Sequence, residues 1–592
     1  MEKHITWVDR REKELERQVL GEYSKEETWK HLEYLTKLIR RAGTEDELKA
    51  ARYIKGKLDE FEVDSEIHKF EAFISLPGEA SLEILSPVQK SFECLPRIFI
   101  HSTPPEGMEA EVVSLGEGLE KDYGGLDVKG KVVLITGGKE GRRDATRLAL
   151  EKGAVAQIHV TPGNSRAINI GQLRTVWGGP TPETMDKLPR IPAVSVCNED
   201  GRYLADLVKK GRVLARLKAC ASREYREIRV PVGTVRGFKE PEKFVLIGGH
   251  YCSWFAGATD NAVANSLMLE MARIFSKYRR DLARSVRFAW WSGHEHGTYA
   301  GSTWYADHFW DDLRDRGIAY LAMDGLARKG SSGFEVSNTE EIREFQKQVV
   351  RELLGIEVES KRVPKSGDQS FLGLGIPSFI GKTGFRGHQF SGGEEPVWYS
   401  HTSEDTLDKV DIDLIAVPFK AHSVSVLRLC NNPVLPFEFV TTANLLRKEI
   451  SDLQAKSGTS VDLIALLDHT EELKKKAGAL NEKIAYHLST LEKKRTKTAL
   501  TSTWMELNSC LMGLSRVLSS VLCSKAGKYG HDPMGTKFRP LPTLQLLEDL
   551  TRLDSSDDEY KALRTSLLRE RNRLSDALTS ANLLLNHTLE KA

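Results

Sequence analysis

The sequence lacks a surplus of charge of either sign: 85 basic side chains stand against 84 acidic ones, a formal net charge of +1. That removes the electrostatic case for nucleic acid or an anionic membrane as a partner. It also lacks a long hydrophobic run. No apolar stretch approaches the ~18 residues needed to span a bilayer. The opening "MEKHITWVDRREKELERQVL" has neither the apolar centre nor the small-residue cleavage site of a secretory leader. Cysteine is scarce and scattered: Cys94, Cys197, Cys220, Cys252, Cys430, Cys510 and Cys523 stand singly, with no CxxC pair. An odd, dispersed set fits reduced thiols in a cytoplasm better than a disulfide framework. Internal repeats and low-complexity tracts are missing as well.

What is present is an ordinary globular balance, 40% hydrophobic and 29% charged, over 592 residues, enough for roughly three to four domains. The chain is helical in pattern to about residue 60. "TEDELKAARYIKGKLDEF" sets Leu48, Ala51, Ile54 and Leu58 at steps of three and four, with Thr44 as N-cap. After "GEASLEILSP" come short strands bounded by Gly or Pro: "GKVVLITGG" (130–138), "GAVAQIHV" (153–160) and "IPAVSV" (191–196), with one helix, "RRDATRLALEKG". From about residue 240 strands and helices alternate: "KFVLIGGHY", "NAVANSLMLEMARIFSKYRR", "SVRFAWWSG", "AYLAMDG" and "GIPSFIG". Strands apolar on both faces imply a mixed, mostly parallel sheet flanked by helices. Beyond about 440 the strands vanish, and Leu463, Leu466, Leu473, Ala477, Leu480 and Ile484 recur at helical spacing. Two further helical stretches, 498–523 and 543–588, are separated by "GKYGHDPMGTKFRPLP". The expected fold is therefore α/β, with an inserted smaller α/β unit at 72–225 between 1–71 and 226–440, and a helical domain at 441–592.

In sheets of this kind ligands bind beyond the carboxyl ends of the strands. There the sequence places His250 and, ten residues on, Asp260; then His294-Glu295-His296; then Asp324; and His401 in a later loop, "WYSHTSEDTLDKVD". Each alone has an ordinary explanation. Asp260 could cap a helix, Asp324 could sit in a turn, and His401 could be a surface histidine. Together they gather imidazoles and carboxylates on one face, an inventory suited to a pair of borderline cations such as zinc with one carboxylate bridging.

These motifs resemble the M28 family of co-catalytic zinc aminopeptidases and related carboxypeptidases. The resemblance lies in "GGH", "GATDN", the segment after "WW", "MDG", "SGDQSFLGLGIPSFIG" and the "YSHTSEDT" loop. It implies that His250 and Asp324 hold one metal, Glu295 and His401 the other, and that Asp260 bridges them. It implies zinc, one or two ions, with other divalent metals as substitutes, and a small peptide or amide as substrate. "LDVKGKVVLITGG" and "IPAVSVCNEDGRYL" resemble the protease-associated domain often inserted in this family. The C-terminal helices sit where receptor-like members carry a dimerisation bundle, so a homodimer is expected.

Two positions depart from the family pattern. Cys252 stands where an aspartate usually orients the first histidine, and His294 where the base is usually a glutamate. Counting forward from Trp291 makes His294 the base and Glu295 the ligand. Counting back from Gly301-Ser302 makes Glu295 the base and His296 the ligand. The forward count is favoured because insertions are tolerated in loops, and Glu295 is functional in either. The alternative is a catalytically impaired M28-like scaffold used for binding or assembly. A cysteine hydrolase built on Cys252 lacks any visible oxyanion motif.

Overall fold

The runs that are apolar on both faces form the middle of an eight-stranded sheet. The computed structural model describes residues 10–137, 141–163, 166–173, 176–385, 396–457, 460–494, 502–533 and 539–591. Across this sheet the strands lie in the order Asp64–Ile74, Glu224–Val235, Arg284–Trp291, Glu240–His250, Gly317–Ala322, Ser378–Gly384, Gly333–Asn338 and Ser360–Arg362. Glu240–His250 pairs in parallel with both Arg284–Trp291 and Gly317–Ala322, which continues in parallel to Ser378–Gly384. The pairings of Asp64–Ile74 with Glu224–Val235, of that strand with Arg284–Trp291, and of Gly333–Asn338 with Ser378–Gly384 are antiparallel. The sheet is mixed.

Side chains alternate across it. Val245, Ile247, Phe288 and Trp290 enter one core, whereas Phe244, Leu246, Ala289 and Trp291 enter the other. Both faces are therefore buried, which is why these strands read as unbroken apolar runs. In the parallel trio His250 lies opposite Trp291, and Gly248 lies opposite Ala322. The residues after each strand leave the sheet at the same edge.

Asp64–Ile74 and Glu224–Val235 are strands the apolar pattern misses, because their charged residues alternate with half-buried ones. Between them, residues 77–221 build a second eight-stranded sheet with its own core. Its middle strands, Val132–Ile135, Ala156–Val160 and Ala193–Val196, run in parallel where strands were expected. Gly138, at the end of the first, lies outside the described residues.

The C-terminal region contains the helices Phe439–Ser457, Ile464–Lys494, Ser502–Cys523, Leu547–Leu550 and Asp558–Lys591. Residues 498–501 of the expected helix lie outside the described residues. The last helix starts at Asp558 rather than 543. Asp554 Oδ1 accepts from both the backbone N–H (2.9 Å) and the hydroxyl (2.7 Å) of Ser556, a local turn that competes with helix. The stripe Leu463, Leu466, Leu473, Ala477, Leu480 and Ile484 is buried within this single chain, in one continuous core with the first sheet. It is not available to a second subunit. Among the described residues no helix is long and apolar enough to cross a membrane.

Candidate metal centre

His250 ends its strand with the ring buried. Its Nδ1 donates to the Cys252 carbonyl at 3.0 Å, since a carbonyl only accepts. The orienting role that a thiol fills poorly is thus taken by the backbone of the same residue, and Nε2 is turned to the carboxylates. That nitrogen lies 3.0 Å from Asp260 Oδ1 and 3.9 Å from Asp324 Oδ1. It is nevertheless buried without an aligned hydrogen-bond partner.

Asp260 does not cap the following helix. It sits in the turn Ala258–Ala262 with non-helical backbone, held from behind by Asp405. The Asp405 carboxylate accepts from the backbone N–H groups of Thr259 at 2.9 Å and Asp260 at 3.1 Å. Burial pushes the Asp405 carboxyl up to about 6 despite these bonds. Held this way, Asp260 turns its second oxygen, Oδ2, to His401 Nε2 at 3.1 Å. The same His401 nitrogen lies 3.2 Å from Glu295 Oε1. Glu295 is buried and its Oε2 has no hydrogen-bond partner.

The electrostatics match a cation site. Burial alone would raise the Asp260 carboxyl, but the imidazoles of His250 and His401 hold it well below the usual carboxylate range. Glu295 is likewise raised by burial and then brought below its ordinary value by His401. Burial lowers His401, yet Glu295 and Asp260 push it up to about 10. His250 is raised well above its ordinary value by Asp260 and its neighbours against the same penalty. The carboxylate oxygens converge with ring nitrogens into groups within 4.8 Å: His250, Asp260 and Asp324, and Asp260, Glu295 and His401. Asp260 belongs to both. His250 Nε2 and Glu295 Oε2 are buried without a hydrogen-bond partner beside these carboxylates, atoms that a divalent cation would satisfy once the imidazoles give up their protons, and the mixed nitrogen and oxygen donors suit zinc. The donor set fits.

Within the triplet His294-Glu295-His296, His294 stacks on His250 with centroids 3.8 Å apart, and its Nδ1 lies 2.8 Å from Asp368 Oδ2. One ring nitrogen also falls in a group with His250 and Glu295. His296 turns away. It packs on Trp254 at 4.5 Å, its Nδ1 meets the Ala42 N–H at 3.5 Å, and burial pushes it down to about 3. His294 faces the cluster and His296 does not.

Residues that sequence reasoning left unassigned support the site. Asp405 and Asp368 lie inside the motif segments themselves. Arg40 and Glu47 gave no signal. The buried Arg40 guanidinium donates to the carbonyls of Tyr251 (2.7 Å), Ala256 (3.0 Å) and Gly257 (3.3 Å), fixing the loop between His250 and Asp260. Glu47 accepts from Ser292 Oγ at 2.7 Å and Tyr251 OH at 3.0 Å, tying together the loops after two strands.

Residues 232–421 match the sequence profile described as Peptidase family M28. The probable glutamate carboxypeptidase VP8 of Zea mays is 24% identical over 507 residues, 72% of this chain and 69% of that protein. The fold is similar to the crystal structure of a peptidase M28 precursor from Shewanella amazonensis SB2B, with TM-score 0.59 and 21% identity over 71% of this chain and 97% of the other. It is also similar to BSAP, a zinc aminopeptidase from Bacillus subtilis, with TM-score 0.55 and 22% identity over 68% and 94%.

Proposed function

We propose, from the match of residues 232–421 to the profile of peptidase family M28, a metal-dependent hydrolase that cleaves a peptide or related amide bond with an activated water. Asp260 carries the reading: its two oxygens face different imidazoles, His250 and His401, each with a further carboxylate beside it. His250, Asp260 and Asp324 would hold one cation, and Asp260, Glu295 and His401 a second. Zinc is the identity we propose, supported by the donor set and by the zinc aminopeptidase of similar fold. Such ions, when bound, polarise the substrate carbonyl and lower the pKa of a water.

The chain supplies the proton handling. His294 Nε2 accepts a proton from the attacking water and returns it to the leaving nitrogen. Glu295, held against His401, keeps its negative charge in that environment. The rival reading, an impaired scaffold, is disfavoured by the set of ligand-type residues that meet in one cluster. Elemental analysis of protein purified without chelator tests the proposal. Zinc should be near stoichiometric, and Asp260→Ala should lose the most metal. Less than about a tenth of an equivalent after reconstitution overturns the proposal.

One observation favours a substrate with an anionic group. Arg328 and Lys382 line a cavity of about 140 Å³ that borders Asp324. Neither forms an ion pair among the described residues, and Arg328 Nε is buried without an acceptor. A similar protein from maize is named a probable glutamate carboxypeptidase. A peptide ending in glutamate should be cleaved faster than its neutral amide, and Lys382→Met should erase about tenfold of that preference.

We further propose a protease-associated-like role for 72–225 and a two-fold assembly through the helical domain at 441–592. Ile464, Tyr486, Met505 and Leu583 remain exposed there and support such a contact. Seven unpaired cysteines support a cytoplasmic setting.

A further inference from the structure

We infer that Asp368 is the positioning residue for His294, holding the imidazole by Nδ1 so that Nε2 is the nitrogen presented to the metal centre. The inference rests on the reading of His294 as base. Asp368 is buried, yet among the described residues it pairs with neither lysine nor arginine. Its oxygens are divided. Oδ2 lies 2.8 Å from His294 Nδ1, and Oδ1 accepts from Ser302 Oγ at 2.8 Å. An ionised carboxylate only accepts hydrogen bonds, so Nδ1 carries the proton and Nε2 the lone pair.

The carboxylate is itself fixed from several directions. Ser302 and Thr303, on the helix Ala300–His308, reach Ser370 Oγ at 2.9 and 3.2 Å. Ser370 also accepts from Trp177 Nε1 at 3.0 Å. The segment from Asp368 to Ser370 is thus anchored both to the helix that follows His294 and to the region of the second sheet.

Packing and tautomer are set by different groups. The His294 ring is stacked on His250 at 3.8 Å and meets Tyr299 edge-on, with centroids 4.7 Å apart at 74°. Those contacts hold the ring plane whichever nitrogen is protonated. The choice of nitrogen falls to Asp368. An Asn at 368 would keep the shape and could offer its amide N–H to Nδ1, which moves the proton to Nε2 and removes the lone pair from the centre.

The test uses the full-length, metal-loaded protein with ¹⁵N-labelled histidine, the His294 signals being identified by their loss in His294→Ala. In the unsubstituted protein His294 should be protonated at Nδ1. In Asp368→Asn the proton should shift to Nε2, with kcat down at least about 100-fold, KM within about threefold and bound metal unchanged. Asp368→Glu, which retains the carboxylate, should recover part of kcat. An Nε2-protonated His294 in the unsubstituted protein overturns the inference, and this measurement stands even if Asp368→Asn does not fold. Unaltered kcat in Asp368→Asn, or metal lost in step with turnover, overturns it as well. If the unsubstituted protein cleaves no amide, the reading of His294 as base fails, while the tautomer measurement still decides what Asp368 does.

Discussion

Glu295 and His296 are neighbours in sequence with opposite fates. Glu295 meets His401 at 3.2 Å with an unpartnered second oxygen, whereas His296 packs on Trp254. Glu295→Gln keeps the shape but removes the charge that complements a cation. Turnover should fall more than about 100-fold, with metal content reduced. His296→Ala should retain metal and lose stability only, and elemental analysis of the two variants side by side checks this. Two other buried histidines set a pH dependence. Burial pushes both His31 and His422 down to about 4 from an ordinary 6.5. The unfolded chain then binds protons that the native chain refuses, so stability rises with pH across this window. It is fully present above about 6.5 and is lost as pH falls toward 4, up to about 3 kcal/mol for each histidine. Urea unfolding at pH 7.5 and pH 5 should show the loss, and His422→Gln should reduce it. An equal loss in that variant would show that His422 contributes nothing.

Among elements, the strand tips carry the donors and the N-terminal helices brace them. His250, Glu295 and Asp324 were legible as candidates because each follows an apolar run buried on both faces, whereas Asp260 and His401 stand in loops and were singled out by their motifs. Thr44 was legible as a cap, and its hydroxyl does accept from the Glu47 N–H. The purpose of Glu47 was not legible. It reads as one more acid in a helical first turn, and only tertiary packing brings it to Ser292, Tyr251 and Arg229. The two long strands at 64–74 and 224–235 were hidden for a related reason, since their charged residues are satisfied by neighbours rather than by water alone. Asp368 and Asp405 lay within the recognised motifs, but no spacing rule says which backbone or imidazole a carboxylate will meet. Glu47→Ala should therefore cost far more than an exposed acid would. It removes the buried carboxylate that Arg229 meets at 3.1 Å, leaving that guanidinium to Glu227 at 2.6 Å, and strands the Ser292 hydroxyl and the Arg229 backbone N–H, a loss of about 2–4 kcal/mol. Denaturant midpoints for Glu47→Ala and Glu26→Ala, the latter exposed, make the comparison. Similar midpoints would mean that the brace is not needed.

Across the whole molecule, the helical region and the sheet share one core, so the helices are part of the same folding unit as the metal centre. Polar contacts cross between them, those of Arg516 and Asp532 included. Arg516 is buried, and its guanidinium donates to the carbonyls of Arg314 (2.9 Å), Gly375 and Gly317. Lys365 and Asp532 form a buried pair at 2.8 Å. Asp532 also accepts from the backbone N–H groups of Lys525 and Ala526, each at 2.8 Å. Lys365 stands three residues before Asp368, so the helical region helps fix the segment that holds His294. Asp532→Ala would take away the carboxylate that meets the buried Lys365 ammonium at 2.8 Å and open two backbone donors. The expected cost is about 2–4 kcal/mol. Because the core is continuous, that cost should lower a single unfolding transition seen alike by tryptophan fluorescence and far-ultraviolet circular dichroism. Replacing both partners, Lys365→Met with Asp532→Leu, removes the charges together and should recover part of the loss. Two separate transitions, with the sheet unaffected by Asp532→Ala, would show instead that the helices fold independently and leave the metal centre untouched.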